Sequence, residues 1–399
     1  MNSREKRLVG AAMASHALAH FFEQTFPPVL KLVENEYHLG LAGAGGLANV
    51  FPFFFGFGAI PAGMVVDRWG VRRTLLTYLL ACSAAAVATL FVKDIWILAL
   101  LLGIMGLAAG LYHPAGATMI SKNVEQVGTG LGFHGMGGNL GLAVAPLFAS
   151  VVAAALGWRA AYAVLALPAL LLAAYFFKTK DLENHRGVSP EADPGASENS
   201  TVEQGPESTL WLPLILLFAM GMFNGFCYRG LLTFLPTFFS GDSTGEKALI
   251  EGGMLTTAVL LVGVFGQYGG GRLSDRFKPE VVYAISFTLG APLIGILGLM
   301  SGSGAVAVAG AFSLMYFTSQ PPGNSIVAKL SSHAFRGRAY GIFFFMHFGV
   351  GSFSATVSGW IGENYGVEAI FPFLGAVLAI VAVVGWILVA IMRTKKELA

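Results

Sequence analysis

The sequence predicts an all-α polytopic membrane protein with twelve transmembrane helices in two parallel six-helix repeats. This fold class follows from three observations. The 399 residues are 55% hydrophobic and only 12% charged, whereas soluble domains carry about 25% charged residues. Apolar stretches of about 20 residues, the length that crosses a bilayer, recur along the whole chain. Motifs of the first half recur in the second half 208 or 209 residues later.

Twelve apolar stretches are long enough to be membrane spans. Arg4, Lys6 and Arg7 precede the first of them, which is too long for a signal-peptide core, so we expect it to remain a membrane helix. Cys82 and Cys227 fall in apolar stretches and are expected to pack there without forming a disulfide. The predicted spans are 8–33, 40–66, 73–92, 95–121, 126–154, 158–177, 209–239, 247–273, 280–301, 303–331, 335–361 and 366–392.

A polar and acidic stretch at 178–208 interrupts the apolar pattern and separates the helices six and six. Its small, polar composition is typical of a flexible linker. We therefore predict an N-terminal six-helix half at 1–177, a cytoplasmic linker at 178–208 and a C-terminal six-helix half at 209–399.

Lys and Arg residues are unevenly distributed between the two sides of the predicted bundle. Nineteen of the 24 lie on the side that carries both termini, whereas Lys31, Lys93, Arg159 and Lys247 lie on the other side and Arg229 lies inside a helix. Since cytoplasmic loops carry the excess of Lys and Arg, we expect both termini in the cytoplasm. The same distribution supports an even number of helices.

The two halves match at a nearly constant offset. Asp67-Arg68 aligns with Asp275-Arg276, and Gly157 aligns with Gly366. Because each half has an even number of helices, both copies keep the same membrane orientation. Parallel repeats of this kind bind substrate near the bilayer midplane, between the halves.

The loop between helices 2 and 3 carries the most specific motif of the chain. Gly-x-x-x-Asp-Arg-x-Gly at 63–70, followed by basic residues, resembles the corresponding loop of the major facilitator superfamily, and 271–278 is a weaker copy. Val71 departs from the commonest form of the motif, which has a basic residue there. Asp67 can cap a helix N-terminus or pair with an Arg, and Gly63 permits close helix approach.

The resemblance implies that this loop is a cytoplasmic gate; the alternative is a solvated turn. The predicted gate residues are Gly63, Asp67, Arg68, Gly70, Arg72, Arg73, Asp275 and Arg276.

Helix 5 carries a glycine-rich stretch at 132–146 that resembles the corresponding motif of drug:proton antiporters, with Ala145 in place of the last glycine. Tyr112-His113-Pro114 and Ser15-His16 resemble the fosmidomycin-resistance-type branch. These resemblances favour export over import. The alternative interpretation of the glycines is close helix packing.

Charged residues inside a membrane are costly and usually functional. His16, His20 and Glu23 are spaced to share one face of helix 1, and Arg229 on helix 7 aligns with His20 at an offset of 209. Arg229 can grip a carboxylate, phosphate or phosphonate. Glu23, with His20, is the predicted site of proton coupling, since a carboxyl in a low-dielectric cavity tends to keep its proton. Alternatively, Glu23 is a helix-end residue, or it neutralises Arg229.

The resemblance to the superfamily implies that helices 1, 4, 7 and 10 line the central cavity. Helices 5 and 11, which carry His134 and His347, are expected to border it. Pro321 and Pro322 are expected to disrupt helix 10 and free backbone carbonyls; the alternative is a kink that serves packing alone. The predicted substrate-binding residues are Arg229, His20, His113, Tyr228, Asn224, Gln320 and Asn324.

These features predict a proton-coupled secondary transporter for a small organic anion or an amphipathic drug-like compound. No phosphate loop for ATP and no nucleophile–base set occurs, so we expect neither an ATPase nor another enzyme, and no cofactor. The alternative is a transporter of a metal ion or anionic chelate that uses His16, His20 and Glu23, with His113 as a further donor. We expect a monomer in a bacterial inner membrane, with protons, the lipid bilayer and a small-molecule substrate as partners and no nucleic acid.

Overall fold

The protein is helical throughout the residues that the structure describes. This computed structural model describes residues 1–179, 206, 208–241, 245–332 and 335–397, and all regular elements within them are helices, as predicted. The α-helices, in chain order, are α1 (Ser3–Gln24), α2 (Phe26–Tyr37), α3 (Gly40–Ala48), α4 (Val50–Trp69), α5 (Val71–Ala88), α6 (Ile95–Gly110), α7 (Tyr112–Asn123), α8 (Val127–Leu156), α9 (Trp158–Ala163), α10 (Ala166–Lys178), α11 (Trp211–Ser240), α12 (Glu246–Arg276), α13 (Pro279–Leu297), α14 (Gly302–Leu330), α15 (Arg336–Phe344), α16 (Ser354–Tyr365) and α17 (Ile370–Glu397).

These helices form the twelve predicted spans. Within the described residues, ten helices are long and apolar enough to cross a membrane. The other two spans are α1 with α2, and α14. They are the spans that carry His16, His20 and Glu23, and Gln320 and Asn324, so the polar residues that suggest function also lower the hydropathy of their helices.

Several spans are built from two helices joined by a short break. In the first span, α1 ends at Gln24 and α2 begins at Phe26, with Pro27 and Pro28 in its first turn. Proline lacks the N–H that would continue the helix but fits the first turn of a new one. The eleventh span contains a π-helical turn, Phe345–Val350, between α15 and α16.

The tenth span corrects one prediction. Pro321 and Pro322 lie inside α14, which continues from Gly302 to Leu330 without interruption. Pro322 has no N–H for the carbonyl of Thr318, and Gly270 of α12 packs directly against that carbonyl. Because glycine has no side chain, the α12 backbone can approach this carbonyl closely.

One aligned glycine pair shows the repeat in backbone conformation. Gly157 has φ 86° and ψ 160°, and Gly366 has φ 89° and ψ 152°. Each glycine donates its N–H to the helix that ends there, to Ala153 and Gly362 respectively, at 2.9 and 3.1 Å. Residues with side chains rarely adopt this positive φ, so both halves need glycine before their last span.

The chain divides into two compact units. Unit 1 comprises Met1–Leu39, Gly46–Glu198 and Leu235–Thr257, and unit 2 comprises Gly40–Gly45, Asn199–Phe234 and Ala258–Ala399. The linker predicted at 178–208 lies mostly outside the described residues, so the boundaries of the two halves stay a prediction.

In unit 1, α1 crosses α8 at consecutive small residues. A Cβ on Gly137 would lie 2.5 Å from the carbonyl oxygen of Met13, and a Cβ on Gly141 would overlap the backbone of Ala17. Gly138 lies against the imidazole ring of His16. The glycine-rich stretch of helix 5 thus serves the close packing of α1, which brings the polar face of α1 against α8.

Candidate functional site

The polar face of α1 is buried in unit 1. His16, His20 and Glu23 are each less than one tenth exposed. His16 Nδ1 lies 2.9 Å from the backbone oxygen of His134, and His20 Nδ1 lies 2.7 Å from Glu23 Oε2. Since a carbonyl oxygen can only accept, His16 donates from Nδ1 and its neutral form leaves Nε2 as an acceptor. The three residues predicted to share a face therefore do so, each with a specific partner.

Glu23 lies in the last turn of α1, one residue before the helix ends. Its carboxylate is nevertheless buried, 2% exposed, and contacts His20 instead of solvent. A buried carboxylate needs a donor or a positive charge to offset its lost hydration. The prediction of a carboxyl in a low-dielectric environment and the alternative of a helix-end residue thus describe the same position.

His113 joins this cluster from α7. Its ring centroid lies 4.8 Å from that of His16 and 5.8 Å from that of His20. His134 of α8 stacks on His16 with centroids 4.2 Å apart. Four imidazoles from three helices thus pack together, with His113 the most exposed of them.

Tyr112 fixes the orientation of this cluster. Its hydroxyl donates to the carbonyl of Ala12 at 2.6 Å and lies 3.0 Å from His134 Nε2. With its one proton committed to Ala12, the hydroxyl accepts from His134, which places a proton on Nε2 of that ring. Tyr112 was not predicted as a site residue; an aromatic hydroxyl in an apolar helix beside His113 was the available signal.

Unit 2 contains a second polar cluster. Arg229 is buried in α11, 3% exposed, and its neighbour Tyr228 stacks on Tyr316 of α14 with centroids 4.1 Å apart. Asn224, one turn before Tyr228, is 4% exposed, and its Oδ1 has no hydrogen-bond partner among the described residues. This cluster offers a fixed positive charge, an aromatic wall and an amide acceptor.

The π-helical turn supplies a histidine to this second cluster. His347 Nδ1 lies 3.0 Å from the backbone oxygen of Gly221, and His347 Nε2 lies 2.9 Å from the Tyr316 hydroxyl. The arrangement resembles that of Tyr112 and His134, because in both units a histidine of the fifth or eleventh span contacts a tyrosine of the fourth or tenth. Tyr316 was also missed as a site residue.

The remaining predicted substrate residues lie on α14. Gln320 and Asn324 are one helical turn apart and partly exposed. The backbone oxygen of Asn324 accepts from the Tyr340 hydroxyl at 2.9 Å. The structure therefore places His20 and His113 together in unit 1, and Asn224, Tyr228 and Arg229 on α11 and Gln320 and Asn324 on α14 in unit 2.

The predicted gate residues occupy equivalent places in the two copies. Asp67 lies two residues before the end of α4, and Asp275 lies one residue before the end of α12. Neither carboxylate caps a helix N-terminus, which corrects that interpretation of Asp67. The reason is that α4 continues past Asp67 to Trp69, and Gly70, with φ 79°, joins it directly to α5. The gating role stays a prediction.

The basic residues of this loop differ in their contacts. Arg72 Nε donates to the backbone oxygen of Phe176 at 2.9 Å, so it ties the start of α5 to the end of α10. Arg68 and Arg73 are exposed, as are Asp275 and Arg276 in the second copy. A Cβ on Gly63 would meet no atom of the described residues within 4 Å, so the predicted close helix approach is not formed here.

Comparison with known proteins identifies the family. A model of the Major Facilitator Superfamily matches residues 12–355 and 248–399. The chain belongs to the Major Facilitator Superfamily. It is accordingly a multi-pass membrane protein and a secondary transporter of small molecules, not an enzyme, and the predicted twelve-helix fold in two repeats is confirmed.

Two superfamily members named for substrates or drugs are similar in sequence. The chain is 26% identical over 279 residues to the probable sulfoacetate transporter SauU of Cupriavidus necator, a match that covers 67% of this chain and 64% of that relative. It is 22% identical over 397 residues to the fosmidomycin resistance protein of Escherichia coli, covering 92% of this chain and 91% of that one. The predicted resemblance to the fosmidomycin-resistance-type branch is thereby confirmed.

A solved structure of the superfamily shares the fold. A bacterial homolog of the human lysosomal transporter Spinster, in an inward-facing and occupied conformation, superposes with a TM-score of 0.77 at 15% identity. The match covers 98% of each chain. At this identity the likeness concerns the fold, and the substrate has to be argued from the site.

Proposed function

We propose that this chain is a proton-coupled secondary transporter of small organic anions that works by alternating access. The observation that carries the proposal is the pair of buried ionisable groups on equivalent helices. The first span of the N-terminal repeat carries the His20–Glu23 pair, and the first span of the C-terminal repeat carries Arg229. Burial of these groups costs free energy, so ionisable residues within membrane spans are rare and usually serve function.

Arg229 is the proposed anchor for the anion. A guanidinium stays charged at any physiological pH and binds a carboxylate, sulfonate or phosphonate through two parallel hydrogen bonds. Tyr228 and Tyr316 add an aromatic surface beside it, which suits an amphipathic substrate. One similar protein is named for sulfoacetate, an organic anion.

Glu23 is the proposed carrier of the coupled proton. The buried contact with His20 at 2.7 Å gives the carboxyl an imidazole nitrogen within hydrogen-bond distance. A change of hydration or of charge around this pair would move the proton on or off the carboxyl. Export is the direction we favour, because of the helix-5 motif and the relative named for fosmidomycin resistance.

The anion proposal is tested by binding and flux in purified, reconstituted protein. Sulfoacetate, aromatic carboxylates and phosphonates are screened first for thermal stabilisation, and the best ligand is then used with Arg229→Ala and Arg229→Lys. We expect Arg229→Ala to abolish binding and Arg229→Lys to weaken it at least 10-fold, because an ammonium cannot form the two parallel bonds (about 1.4 kcal/mol for each factor of ten). Unchanged binding in both variants would remove Arg229 from the site.

Proton coupling is tested separately with Glu23→Gln in proteoliposomes. An imposed pH gradient should drive accumulation by the wild-type protein and not by the variant, while exchange of labelled for unlabelled substrate continues. Exchange is the internal control for a folded site. Gradient-driven accumulation at the wild-type level in Glu23→Gln would contradict the coupling role.

A further inference from the structure

Three imidazoles in unit 1 have ring nitrogens that lie close together. One ring nitrogen from each of His16, His20 and His113 lies within 4.8 Å of the other two. We propose that these three histidines form a binding site for a divalent transition-metal ion such as Zn²⁺ or Co²⁺. The proposal does not depend on the identity of the transported anion, since the ion binds the protein alone.

The other ring nitrogens show why these histidines suit a metal. A histidine that binds a metal nearly always donates its second ring N–H to a carboxylate or a backbone carbonyl, which fixes the tautomer and the ring orientation. His16 directs Nδ1 to the carbonyl of His134 at 2.9 Å, and His20 directs Nδ1 to the Glu23 carboxylate at 2.7 Å. In both rings Nε2 is therefore the nitrogen available to a metal, since in the neutral form it carries no proton and its lone pair can bind the ion.

The third ligand differs from the one that the sequence suggested. Spacing along α1 predicted His16, His20 and Glu23 as the alternative metal set, but Glu23 is engaged with the far side of the His20 ring. The structure instead brings His113 from α7 next to both histidines. His134 is close as well, but its Nε2 donates to Tyr112, and we assign it no ligand role.

The chemistry of the set points to a borderline transition metal. Neutral imidazoles suit Zn²⁺, Co²⁺, Ni²⁺ and Cu²⁺, whereas Mg²⁺ and Ca²⁺ require oxygen ligands. Ligand atoms around a tetrahedral ion lie about 3.4 Å apart at bond lengths of about 2.1 Å. The ring nitrogens, which lie within 4.8 Å of one another, therefore need to approach by up to about 1.4 Å through side-chain rotation. Three protein ligands also leave a fourth position open, which water or a carboxylate-bearing molecule can fill.

Access and space support the assignment. His113 is the partly exposed member of the cluster, so an ion can reach the buried pair through it. Gly138 of α8 lies against the His16 ring, where a side chain would occupy the space the ring needs. The glycine thus allows His16 to keep both its backbone bond and its orientation toward His20.

The test uses detergent-purified full-length protein whose affinity tag contains no histidine, with Zn²⁺ by calorimetry and Co²⁺ by absorption spectroscopy. We expect one saturable ion per chain and Co²⁺ d–d bands of four- or five-coordinate intensity. His16→Ala and His20→Ala should abolish binding, and Glu23→Gln should weaken it about 10- to 100-fold by loosening the orientation of His20. His347→Gln, a buried histidine of unit 2, is the matched control and should bind normally.

A cysteine substitution distinguishes the loss of a metal ligand from the loss of the folded structure. His113→Cys should still bind Co²⁺ and should add a thiolate-to-cobalt charge-transfer band, which arises only if residue 113 ligates the ion. Bound Co²⁺ without that band, saturable Zn²⁺ binding that survives in His16→Ala, or no saturable binding by the wild-type protein would each overturn the proposal. None of these measurements includes substrate or a pH gradient, so their failure is distinct from failure of the proposed anion transport.

Discussion

Among the individual residues, Arg159 contacts three separate parts of unit 1 with one side chain. Its guanidinium donates from Nη1 to Glu36 at 2.9 Å and from Nε to the backbone oxygen of Val92 at 3.1 Å. It also stacks over the Trp158 ring at 4.3 Å, and the indole of Trp158 donates to the same Glu36 at 2.7 Å. An exposed ion pair alone contributes little, but a network of this kind holds the end of α2 to the start of α9.

This network makes stability depend on pH. Hydrogen bonding from Arg159 lowers the pKa of Glu36 below its ordinary value. A carboxyl with a lowered folded-state pKa stabilises the fold above its unfolded pKa, near 4.3, and the contribution is lost as the pH falls through the lower, folded value. We expect Glu36→Gln to lower the free energy of unfolding at pH 7 by at most about 1 kcal/mol, seen as a lower thermal midpoint. The difference in midpoint between wild type and variant should shrink below about pH 4.5.

The measurement is thermal unfolding in detergent from pH 3 to pH 8. Glu34→Gln is the control, since Glu34 lies on the same helix and its side chain makes no hydrogen bond to the described residues. A difference between wild type and Glu36→Gln that stays constant down to pH 3 would contradict the prediction.

Between helices, the contact of α12 with α14 explains how a membrane helix tolerates two consecutive prolines. The carbonyl that Pro322 leaves without its helical N–H faces Gly270. On the next turn, Thr318 Oγ1 donates to Leu314 at 2.8 Å and lies 3.2 Å from the carbonyl of Gly266. The freed carbonyl of Thr318 therefore packs against a small residue of α12, and the hydroxyl of the same threonine links α14 to α12.

The contact predicts a difference between neighbouring glycines. Gly270→Ala should destabilise the protein by about 1–3 kcal/mol, because the new Cβ collides with the backbone of Thr318 and the helices have to separate. Gly269→Ala, at a position where a Cβ meets no described atom within 4 Å, should be neutral or stabilise by up to about 1 kcal/mol through helix propensity. Thermal midpoints of the two purified variants test this; equal effects would argue against the role of the contact.

For the molecule as a whole, the distribution of positive charge predicts the membrane orientation. The helical boundaries in the structure leave Lys93 in the turn before α6, and Thr394 near the end of α17. Both are exposed, so the two positions report opposite ends of the spans. The native Cys82 and Cys227 are fully buried and should be silent toward thiol reagents.

We therefore expect Lys93→Cys to react with a membrane-impermeant maleimide on intact cells, and Thr394→Cys to react only after the membrane is permeabilised. The physical reason is that Lys- and Arg-rich loops are retained in the cytoplasm during insertion. Wild-type protein, with its two buried cysteines, is the control for background labelling. Labelling of Thr394→Cys on intact cells would reverse the proposed topology.

Much of the site could be predicted from the sequence because its residues break an apolar pattern. Histidine, glutamate and arginine stand out in membrane helices, and the spacing of His16, His20 and Glu23 assigns them to one helix face. The residues that contact these site side chains could not be predicted in the same way. Tyr112 and Gly138 are ordinary residues in the sequence, and their importance comes from the carbonyl or ring that packing places beside them.

The membrane class, the twelve spans, the repeat and the family could all be derived from the residues, because each follows from local composition or from motifs at a fixed offset. Three features required the folded chain: His113, and not Glu23, joins His16 and His20 in the candidate metal set, Glu23 pairs with His20, and α14 continues through its prolines. Periodicity assigns a residue to a face of its own helix. The choice of the facing helix depends on close packing between segments far apart in the chain, which no local pattern encodes.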